Sequence, residues 1–358
     1  MVAILKEPAY SESMWCKKIS SGLTKRLRQK RIPFCEVYDT IPAGCETVFM
    51  IAAELDWIRS VLNQLNQAEI VPILLCNQAS SLPGFRYSCV CSDVDGSMKE
   101  LLERLKNAGK TRVALYGVNP SSISDVGRVD GLFAQKDDAI DSMRIFVNNG
   151  SLEACYREFS AMADRFDAVV CFNDFAAVSL LRHLEADGAA DACNRLMLFS
   201  CSETRISSCY RDRITSLNMQ LEQYGKAAVL IYEQQKANPY LSQLTLRIRW
   251  NVPSRQEPRS APVCLTDLAG NDLFYEDREL NEMMIAERIL ETDSAIDKAI
   301  LERLVRGATV SEIADACYLT ESGVKYRMQK ILEFCKVPNK AELLSILRRY
   351  LPAYGKGL

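Results

Sequence analysis

The 358-residue chain contains a single histidine, His183, and this scarcity limits the catalytic chemistry that it can support. Any histidine-dependent triad or multi-histidine metal site would have only this one candidate. Neither a G-x-S-x-G nor a Walker motif occurs, so no motif for a nucleophile or a phosphate site supports an enzyme. His183 falls in a helix-like segment, where a surface or packing role is the ordinary one. We therefore predict no catalytic residues, no metal site and no cofactor.

Long apolar runs are also missing from the sequence. No stretch of about 18 or more apolar residues occurs, so we expect no membrane-spanning helix. Residues 1–13 have neither the basic region nor the apolar core of a signal peptide. Fourteen cysteines without an export signal favour a reducing cytoplasm. Cys89 and Cys91 form an isolated C-x-C and no C-x-x-C occurs, so we interpret the cysteines as small apolar core residues.

Short apolar runs alternate with amphipathic segments from Met1 to about Pro253. The strand-like runs are Val2–Leu5, Phe34–Val37, Val48–Ile51, Val71–Leu75, Arg112–Tyr116, Ile145–Val147, Ala168–Phe172, Leu196–Phe199, Ile214–Asn218 and Leu244–Ile248. The helix-like segments are Ser13–Lys30, Asp56–Leu65, Ser97–Asn107, Ser151–Ala163, Asp174–Ala186 and Leu221–Gln234. Apolar strands that alternate with helices predict an α/β fold with two doubly wound lobes. Ligands of such folds bind at the carboxyl ends of the strands, here in a cleft between the lobes.

The composition changes after this region. Three prolines and no periodicity predict a linker over Asn251–Pro262. A charged helix is predicted over Glu276–Glu291, with an apolar stripe formed by Leu280, Met283, Met284, Ile289 and Leu290. This helix either pairs with a partner subunit as a signalling helix or packs back on the sensor. We predict three domains: a sensor over 1–253, a linker with this helix over 254–292, and a DNA-binding domain over 293–358.

Two short helices joined by a tight turn are predicted over Thr309–Lys336. Thr309 and Glu312 have the spacing of a capping box, and Thr320 can cap the second helix. That helix carries an apolar stripe at Val324, Met328, Ile331, Leu332 and Cys335. Polar and cationic side chains point the other way, at Ser322, Lys325, Tyr326, Arg327, Gln329 and Lys330. A second helix of this kind is the shape that enters a DNA major groove.

The charge distribution has the sign that DNA binding requires. From Asp293 to Leu358 eleven lysines and arginines stand against eight acidic residues, which gives +3. The whole chain carries −2, so the preceding 292 residues carry −5. A cationic tail on an acidic chain favours a nucleic-acid partner.

About sixty C-terminal residues resemble the LuxR/GerE type of helix-turn-helix domain. The matching residues are Leu301, Leu304, Gly307, Glu312-Ile313-Ala314, Val324-Lys325, Ile331, Val337 and Ala341-Glu342-Leu343. The sequence departs from the family where Gly323 replaces a threonine, Arg327 a histidine, and Asp293-Ser294 a Leu-Thr pair. In that family the fourth helix makes the dimer contact. The resemblance therefore implies a homodimer through the last helix, Lys340–Tyr350, with Leu343, Leu344, Ile346, Leu347 and Tyr350.

Residues 2–252 resemble the sensor of lac-repressor-like regulators, which has a periplasmic-binding-protein-like fold. The matching segments are Ile70–Ile73 with Asp93, Arg112–Gly117, Ser121-Ser122, Arg128-x-x-Gly131, Cys171–Ala176, Ser207–Tyr210, Ile214-Thr215 and Gln220–Ala228. Such regulators normally carry their DNA-binding domain ahead of the sensor. Here the first strand-like run begins at Val2, so we expect the C-terminal module to read DNA instead.

The same resemblance implies ligand contacts at Trp15, Arg128, Asn173, Asp174 and Ser202. Ser202 stands where the family usually has an aspartate that grips sugar hydroxyls, which disfavours a sugar and favours an anionic or aromatic molecule. Each contact has a structural alternative. Trp15 suits a core position, Arg128 a surface ion pair, and the Asn173-Asp174 pair a helix cap.

We therefore predict a cytoplasmic bacterial transcription regulator that binds an unidentified small molecule and double-stranded DNA as a homodimer. Lys325, Arg327 and Lys330 are predicted near phosphates, and Ser322, Tyr326 and Gln329 near bases. Three alternatives remain open. In the first, the sensor has lost its ligand and serves dimerisation or protein contacts. In the second, the helical tail docks to protein. In the third, the cleft belongs to an enzyme.

Overall fold

The computed structural model describes residues 1–38, 40–76, 82–202, 204–210, 213–251, 277–292 and 294–351. The strands are β1 (Val2–Lys6), β2 (Phe34–Val37), β3 (Thr47–Ile51), β4 (Ile73–Leu75), β5 (Ser88–Ser92), β6 (Arg112–Val118), β7 (Ser142–Val147), β8 (Ala168–Cys171), β9 (Met197–Cys201), β10 (Ile214–Leu217) and β11 (Thr245–Ile248). The helices are α1 (Met14–Gln29), α2 (Leu55–Gln67), α3 (Val94–Asn107), α4 (Ile123–Gln135), α5 (Leu152–Ser160), α6 (Asp174–Ala186), α7 (Ala190–Arg195), α8 (Arg205–Ser208), α9 (Leu221–Ala237), α10 (Arg278–Glu291), α11 (Ala295–Val305), α12 (Val310–Ala316), α13 (Glu321–Cys335) and α14 (Lys340–Tyr350).

The described residues form two compact units. The first contains residues 1–107, 121–139 and 217–251, and the second contains 108–120, 140–216, 277–292 and 294–351. Each is built on one sheet. The prediction of an α/β fold with two sheets is confirmed, and a helical C-terminal region follows.

The sheet of the first unit has the strand order β11-β5-β4-β3-β1-β2, and all of its neighbouring strands pair in parallel. Its inner strands β1, β3 and β4 are apolar and almost fully buried. Helices α1 and α9 cross in direct backbone contact. Gly22 of α1 lies against Glu222, and Gly225 of α9 lies against Leu23. Only glycine leaves room for such an approach, so these two positions fix the crossing.

The sheet of the second unit has the order β10-β9-β8-β6-β7, with β6, β7, β8 and β9 paired in parallel. Its core contains stacked and edge-on rings, among them Tyr116, Phe146, Phe159 and Phe166. The same hydrophobic cluster continues without a break into Met283, Ile289 and the helices that follow them. The C-terminal helices therefore share one core with the sheet of this unit.

Strand β5 was not predicted, because its sequence Ser-Cys-Val-Cys-Ser is not a continuous apolar run. Its hydroxyl groups are nevertheless buried and satisfied: the Ser92 hydroxyl pairs with Tyr224 Oη at 2.6 Å and accepts from Trp250 Nε1. Cys89 and Cys91 are buried on the same strand. The interpretation of these two cysteines as core residues is confirmed.

Helix α10 begins at Arg278 and packs against α6, α8 and α14 of its own chain. Of the two roles left open for this helix, packing back on the sensor is the one that the structure shows. The predicted linker over Asn251–Pro262 lies outside the described residues except for Asn251. None of the helices that the structure describes is long and apolar enough to cross a membrane.

Candidate functional site

The two short helices joined by a tight turn that the sequence predicts are present as α12, a turn and α13. Thr309 and Glu312 form the predicted capping box, with the Glu312 carboxylate accepting from Thr309 N at 2.7 Å. The Thr320 hydroxyl accepts from Gly323 N at 3.0 Å and starts α13. Tyr318 turns the chain with φ of +54°. The two partners of each of these hydrogen bonds lie within three residues of one another. The starts of both helices could therefore be predicted from the sequence.

The buried face of α13 consists of Val324, Met328, Ile331 and Cys335. Its opposite face is exposed to solvent and carries Ser322, Lys325, Tyr326, Gln329 and Lys330. Lys325 pairs with Glu321 at 3.4 Å, and Lys330 pairs with Glu333 at 2.7 Å. Both pairs are exposed, so they are weak and either lysine can exchange its partner for a phosphate.

Arg327 differs from its neighbours on α13. Its guanidinium forms an ion pair with Asp297 of α11 at 2.9 Å, and its side chain is only about one-third exposed. The sequence placed Arg327 beside the outward face, but this partner is thirty residues away and left no local signal. A phosphate contact by Arg327 would have to compete with Asp297.

Two exposed tyrosines lie on or near the exposed face of α13. Tyr318 in the turn is 96% exposed and Tyr326 on α13 is 65% exposed. The sequence analysis predicts only a place in the turn for Tyr318. Its exposure follows from the fold, so the sequence carries no signal for it.

Helix α14 is held inside its own chain by its apolar side. The residues predicted to form a dimer contact, Leu343, Leu344, Ile346, Leu347 and Tyr350, are all buried. The Tyr350 carbonyl accepts a hydrogen bond from Tyr210 Oη at 3.1 Å, and Arg182 stacks over the Tyr350 ring. Glu342, Ser345, Arg348 and Arg349 occupy the exposed side of α14.

At the sheet of the second unit, three of the five candidate ligand residues follow strands β8 and β9 at their carboxyl ends. Asn173 and Asp174 come after β8, and Ser202 comes after β9. Neighbouring parallel strands end at the same edge, so the fold brings these three residues to one edge of the sheet. Trp15 and Arg128 belong to the first unit.

Asn173 caps α6, its side-chain oxygen accepting from Ala176 N at 2.8 Å. Asp174 is fully buried. Its carboxylate accepts four hydrogen bonds, from the hydroxyls of Ser200, Thr204 and Ser216 and from the Thr204 amide, at 2.6–2.7 Å. The capping alternative is therefore realised at Asn173, while Asp174 ties α6 to strands β9 and β10 and to Thr204, which precedes α8. A ligand contact by Asp174 stays a prediction and would have to displace one of these donors.

The segment after β9 has an unusual backbone. Ser202 adopts a φ of +125°, a value that costs a non-glycine residue about 1–3 kcal/mol. Two residues later Thr204 caps α8, and its hydroxyl accepts from Ser207 N at 3.3 Å. Strained residues of this kind concentrate at binding and switching sites, so Ser202 keeps its place among the candidate ligand residues.

In the first unit, Trp15 lies in the first turn of α1, half-buried against Tyr10 at a ring distance of 5.9 Å. Arg128 is 6% exposed and forms an ion pair with Asp125 one helical turn earlier on α4. Its guanidinium also lies 5.9 Å from the ring centre of Trp250. Arg128 thus has the ion-pair partner of its structural alternative, although that partner is buried rather than at the surface.

His183 fastens α10 to α6. Its Nε2 lies 3.2 Å from the Glu279 carboxylate, which also accepts from the Ser179 hydroxyl at 2.8 Å. The hydrogen bond to Glu279 raises the pKa of His183 above 6.5. Burial alone would raise the pKa of Glu279, but the hydrogen bonds from His183 and Ser179 outweigh it and hold that pKa below 4.5. The pair is therefore charged on both sides in the mildly acidic range.

This pair predicts a pH dependence of stability. The contribution of His183 is complete below pH 6.5 and is lost as the pH rises through its raised folded-state pKa; that of Glu279 is lost as the pH falls below 4.5. Unfolding by urea at about pH 6 and pH 8 should show about 1 kcal/mol less stability at the higher pH. His183→Gln, which does not titrate, should remove most of that difference. Because the chain has no other histidine, an unchanged difference would refute the assignment.

Known proteins resemble this chain in structure rather than in sequence. No family model matches the sequence, and none of the curated proteins matches it. A LacI family transcriptional regulator CCPA from Weissella paramesenteroides with bound glucose superimposes with a TM-score of 0.55 at 16% identity, over 72% of this chain and 98% of its own. The fold is periplasmic-binding-protein-like. Among the residues that the structure describes, no group of three or more His, Cys, Asp or Glu could hold a metal ion.

Two further structures show the same fold. The transcriptional regulator CelR in complex with cellobiose has a TM-score of 0.56 at 16% identity, over 72% of this chain and 84% of its own. The lac repressor dimer bound to operator and the anti-inducer ONPF has a TM-score of 0.55 at 13% identity, over 72% of this chain and 94% of its own. At these identities the likeness shows the fold alone.

Proposed function

We propose that this chain is a DNA-binding transcription regulator whose periplasmic-binding-protein-like part senses a small molecule. The observation that carries the proposal is the surface of α13: a helix-turn-helix with a buried apolar face and an exposed face of lysine, tyrosine and amide side chains. Such a face matches a duplex, in which phosphates recruit cations and base edges recruit hydroxyls and amides.

In this proposal Lys325 and Lys330 contact phosphates, because both are exposed and tied only to exposed carboxylates. Arg327 contributes after it leaves Asp297, or holds α13 in place on α11. Ser322, Tyr326 and Gln329 face the bases, and Tyr318 extends the contact beyond the end of α13. The domain is LuxR/GerE-like by its sequence pattern, which the helix order α11–α14 supports.

Sensing is the second half of the proposal. Structural neighbours that are described as transcriptional regulators hold glucose or cellobiose, and this chain shares their fold. Asn173 and Ser202 at the sheet edge of the second unit, and Trp15 in the first, are the ligand contacts that we propose. Arg128 in the first unit and Asp174 in the second already have buried partners, so each is proposed to shape its own unit around these contacts.

A homodimer that reads two half-sites in the cytoplasm completes the proposal. One structural neighbour is a lac repressor dimer bound to operator. The apolar residues of α14 are occupied within the chain. A dimer through this helix would therefore use its exposed polar side or require α14 to leave its present packing.

One observation keeps a ligand-free sensor as the alternative: serine at position 202 where lac-repressor-like sensors have aspartate. Thermal unfolding with sugars, organic acids and phenolics separates the two, because a ligand that binds only the native state at a concentration 100 times Kd adds about 2.7 kcal/mol. A shift that disappears in Trp15→Ala favours sensing, and the absence of any shift favours the alternative.

Lys325→Ala should weaken duplex binding several-fold and lower the slope of log affinity against log salt by about one, since one phosphate contact is lost. Fluorescence anisotropy with a labelled duplex at several salt concentrations measures both quantities. Arg157→Ala is the matched control, because it removes one exposed cation from α5 and leaves α13 unchanged. Equal losses in the two variants would place the DNA surface elsewhere.

A further inference from the structure

Helix α8 is held between two buried carboxylates that come from different parts of the second unit. On one side Asp174 accepts from the amide and hydroxyl of Thr204, the residue that caps α8. On the other side Glu287 of α10 accepts from the amides of Arg205 at 2.7 Å and Ile206 at 2.6 Å. Asp174 and Glu287 therefore hold adjacent amides of the same four-residue helix.

Glu287 is an unusual residue for its position. It is 1% exposed in the middle of α10, where the surrounding stripe is apolar. Burying a carboxylate is costly unless hydrogen bonds compensate, and backbone amides at a helix start supply them. A second hydrogen bond also joins α8 to α10: the Arg205 guanidinium donates to the Leu290 carbonyl at 2.6 Å. Helix α8 is thus bonded to α10 both at its middle and near its end.

The other end of this connection is the strained residue of the candidate ligand site. Ser202, with φ of +125°, lies two residues before Thr204. A molecule that contacts Ser202 or relieves its backbone strain would act next to Thr204 and Arg205, whose amides are already hydrogen-bonded. A displacement of Ser202 that reaches Thr204 would act on the hydrogen bonds that Asp174 and Glu287 make at the start of α8.

Helix α10 in turn contacts two helices of the C-terminal region. It packs against α14 and α13. The Glu282 carboxylate of α10 pairs with Arg349 and accepts from Tyr350 Oη at 3.1 Å, both on α14. Two groups of bonds thus meet on α10: Glu287 faces the sheet edge, and Glu282 faces the C-terminal helices.

We propose that Glu287 is the positioning residue that couples Ser202 and Thr204 to the helix-turn-helix. This inference rests on the proposed function, because it explains how occupancy of the sheet edge alters DNA binding. It assigns Glu287 no contact with ligand or DNA. It also predicts that Thr204 and Glu287 act as one unit, since both hold the same start of α8.

Hydrogen exchange on the full chain tests the coupling without ligand or DNA. Glu287→Gln places an amide N–H against backbone donors, and Thr204→Val removes the hydroxyl that bonds to Asp174; both keep side-chain volume. Each should speed amide exchange in α10 and α14 by about tenfold, as loss of one charged hydrogen bond implies. The double variant should show no further increase, because the two residues act in series. Glu291→Gln, on the same helix, is the matched control.

Exchange that rises only within residues 205–208, or effects of the two substitutions that add, would overturn the coupling. A general loss of stability would also raise exchange in β1 and β3 of the first unit, and would count against it as well. Duplex affinity by anisotropy is the second readout: Glu287→Gln should change it at least threefold relative to Glu291→Gln. Unchanged affinity despite faster exchange in α14 would show that the coupling stops before the DNA surface. If the wild-type chain binds no duplex, the proposed function fails and exchange alone decides the coupling.

Discussion

Asp174→Ala is expected to lower the free energy of unfolding by about 3–5 kcal/mol, because each donor left unsatisfied in the interior costs about 1–3 kcal/mol. The carboxylate is fully buried and serves three hydroxyls and one amide. Removal of the carboxylate opens a cavity and leaves buried donors on three separate segments without an acceptor. Equilibrium unfolding in urea measures the loss, and the slope with denaturant should be unchanged.

Glu153→Ala is the control for Asp174, since it removes an acidic side chain from the first turn of α5 that is exposed and paired only with Arg157. It should cost about 0.5 kcal/mol or less. If Asp174→Ala were equally mild, the carboxylate would not be the structural tie described above. Its role in the candidate site would then have to come from direct contact with a ligand.

Gly225→Ala is expected to destabilise the first unit by about 3 kcal/mol or more, the upper range for inserting atoms into a packed interior. A methyl group at this position would lie 2.0 Å from Leu23 N. The obstructing atoms belong to the backbone of α1, so no side chain can move aside and the helices themselves must separate. Thermal or urea unfolding of the full chain measures the effect.

Gly323→Ala is the matched comparison, because it adds the same methyl group to a helical glycine. The nearest atom would be the Thr320 hydroxyl at 3.2 Å, a flexible side chain. The gain in helix propensity of about 1 kcal/mol is offset by disturbance of the Thr320 cap, so stability should change by less than about 1 kcal/mol. Equal costs at Gly225 and Gly323 would show that α1 and α9 tolerate separation.

The local parts of the structure could be predicted from sequence because their causes are local. Helix α6 begins and ends at the predicted residues, Asp174 and Ala186, since Asn173 caps it and an apolar run follows. The capping box at Thr309 was found for the same reason. Both features depend on partners within three residues, and residue type at short spacing is what a sequence displays directly.

The parts that the sequence did not reveal depend on distant partners. Strand β5 escaped notice because Ser88 and Ser92 break its apolar run, and Tyr224 and Trp250, which satisfy Ser92, lie more than a hundred residues away. Short helices α7 and α8 carry too few turns for any periodicity. The burial of Arg128 against Asp125 and Trp250 likewise follows from packing of distant segments.

The amphipathic pattern of helix α10 predicts that one face is buried but not which part of the protein covers it. Its predicted apolar stripe contains Leu280, Met283 and Ile289, which are buried, and Met284 and Leu290, which are half-buried. The pattern does not indicate what this face packs against, so packing on a partner subunit and packing on the sensor were both left open. In the structure α10 packs on the sensor and Glu287 is buried there, but a glutamate inside a charged helix gives no sequence signal of burial.

The proposed role of α13 is tested by the affinity of the full chain for duplex DNA, measured by anisotropy between about 50 and 200 mM salt. We expect the logarithm of the affinity to fall linearly with the logarithm of salt concentration, and the slope to be lower when Lys325 or Lys330 is replaced by alanine. No binding at the lowest salt, or binding that ignores salt and both substitutions, would contradict the assignment of α13 as the DNA-reading helix.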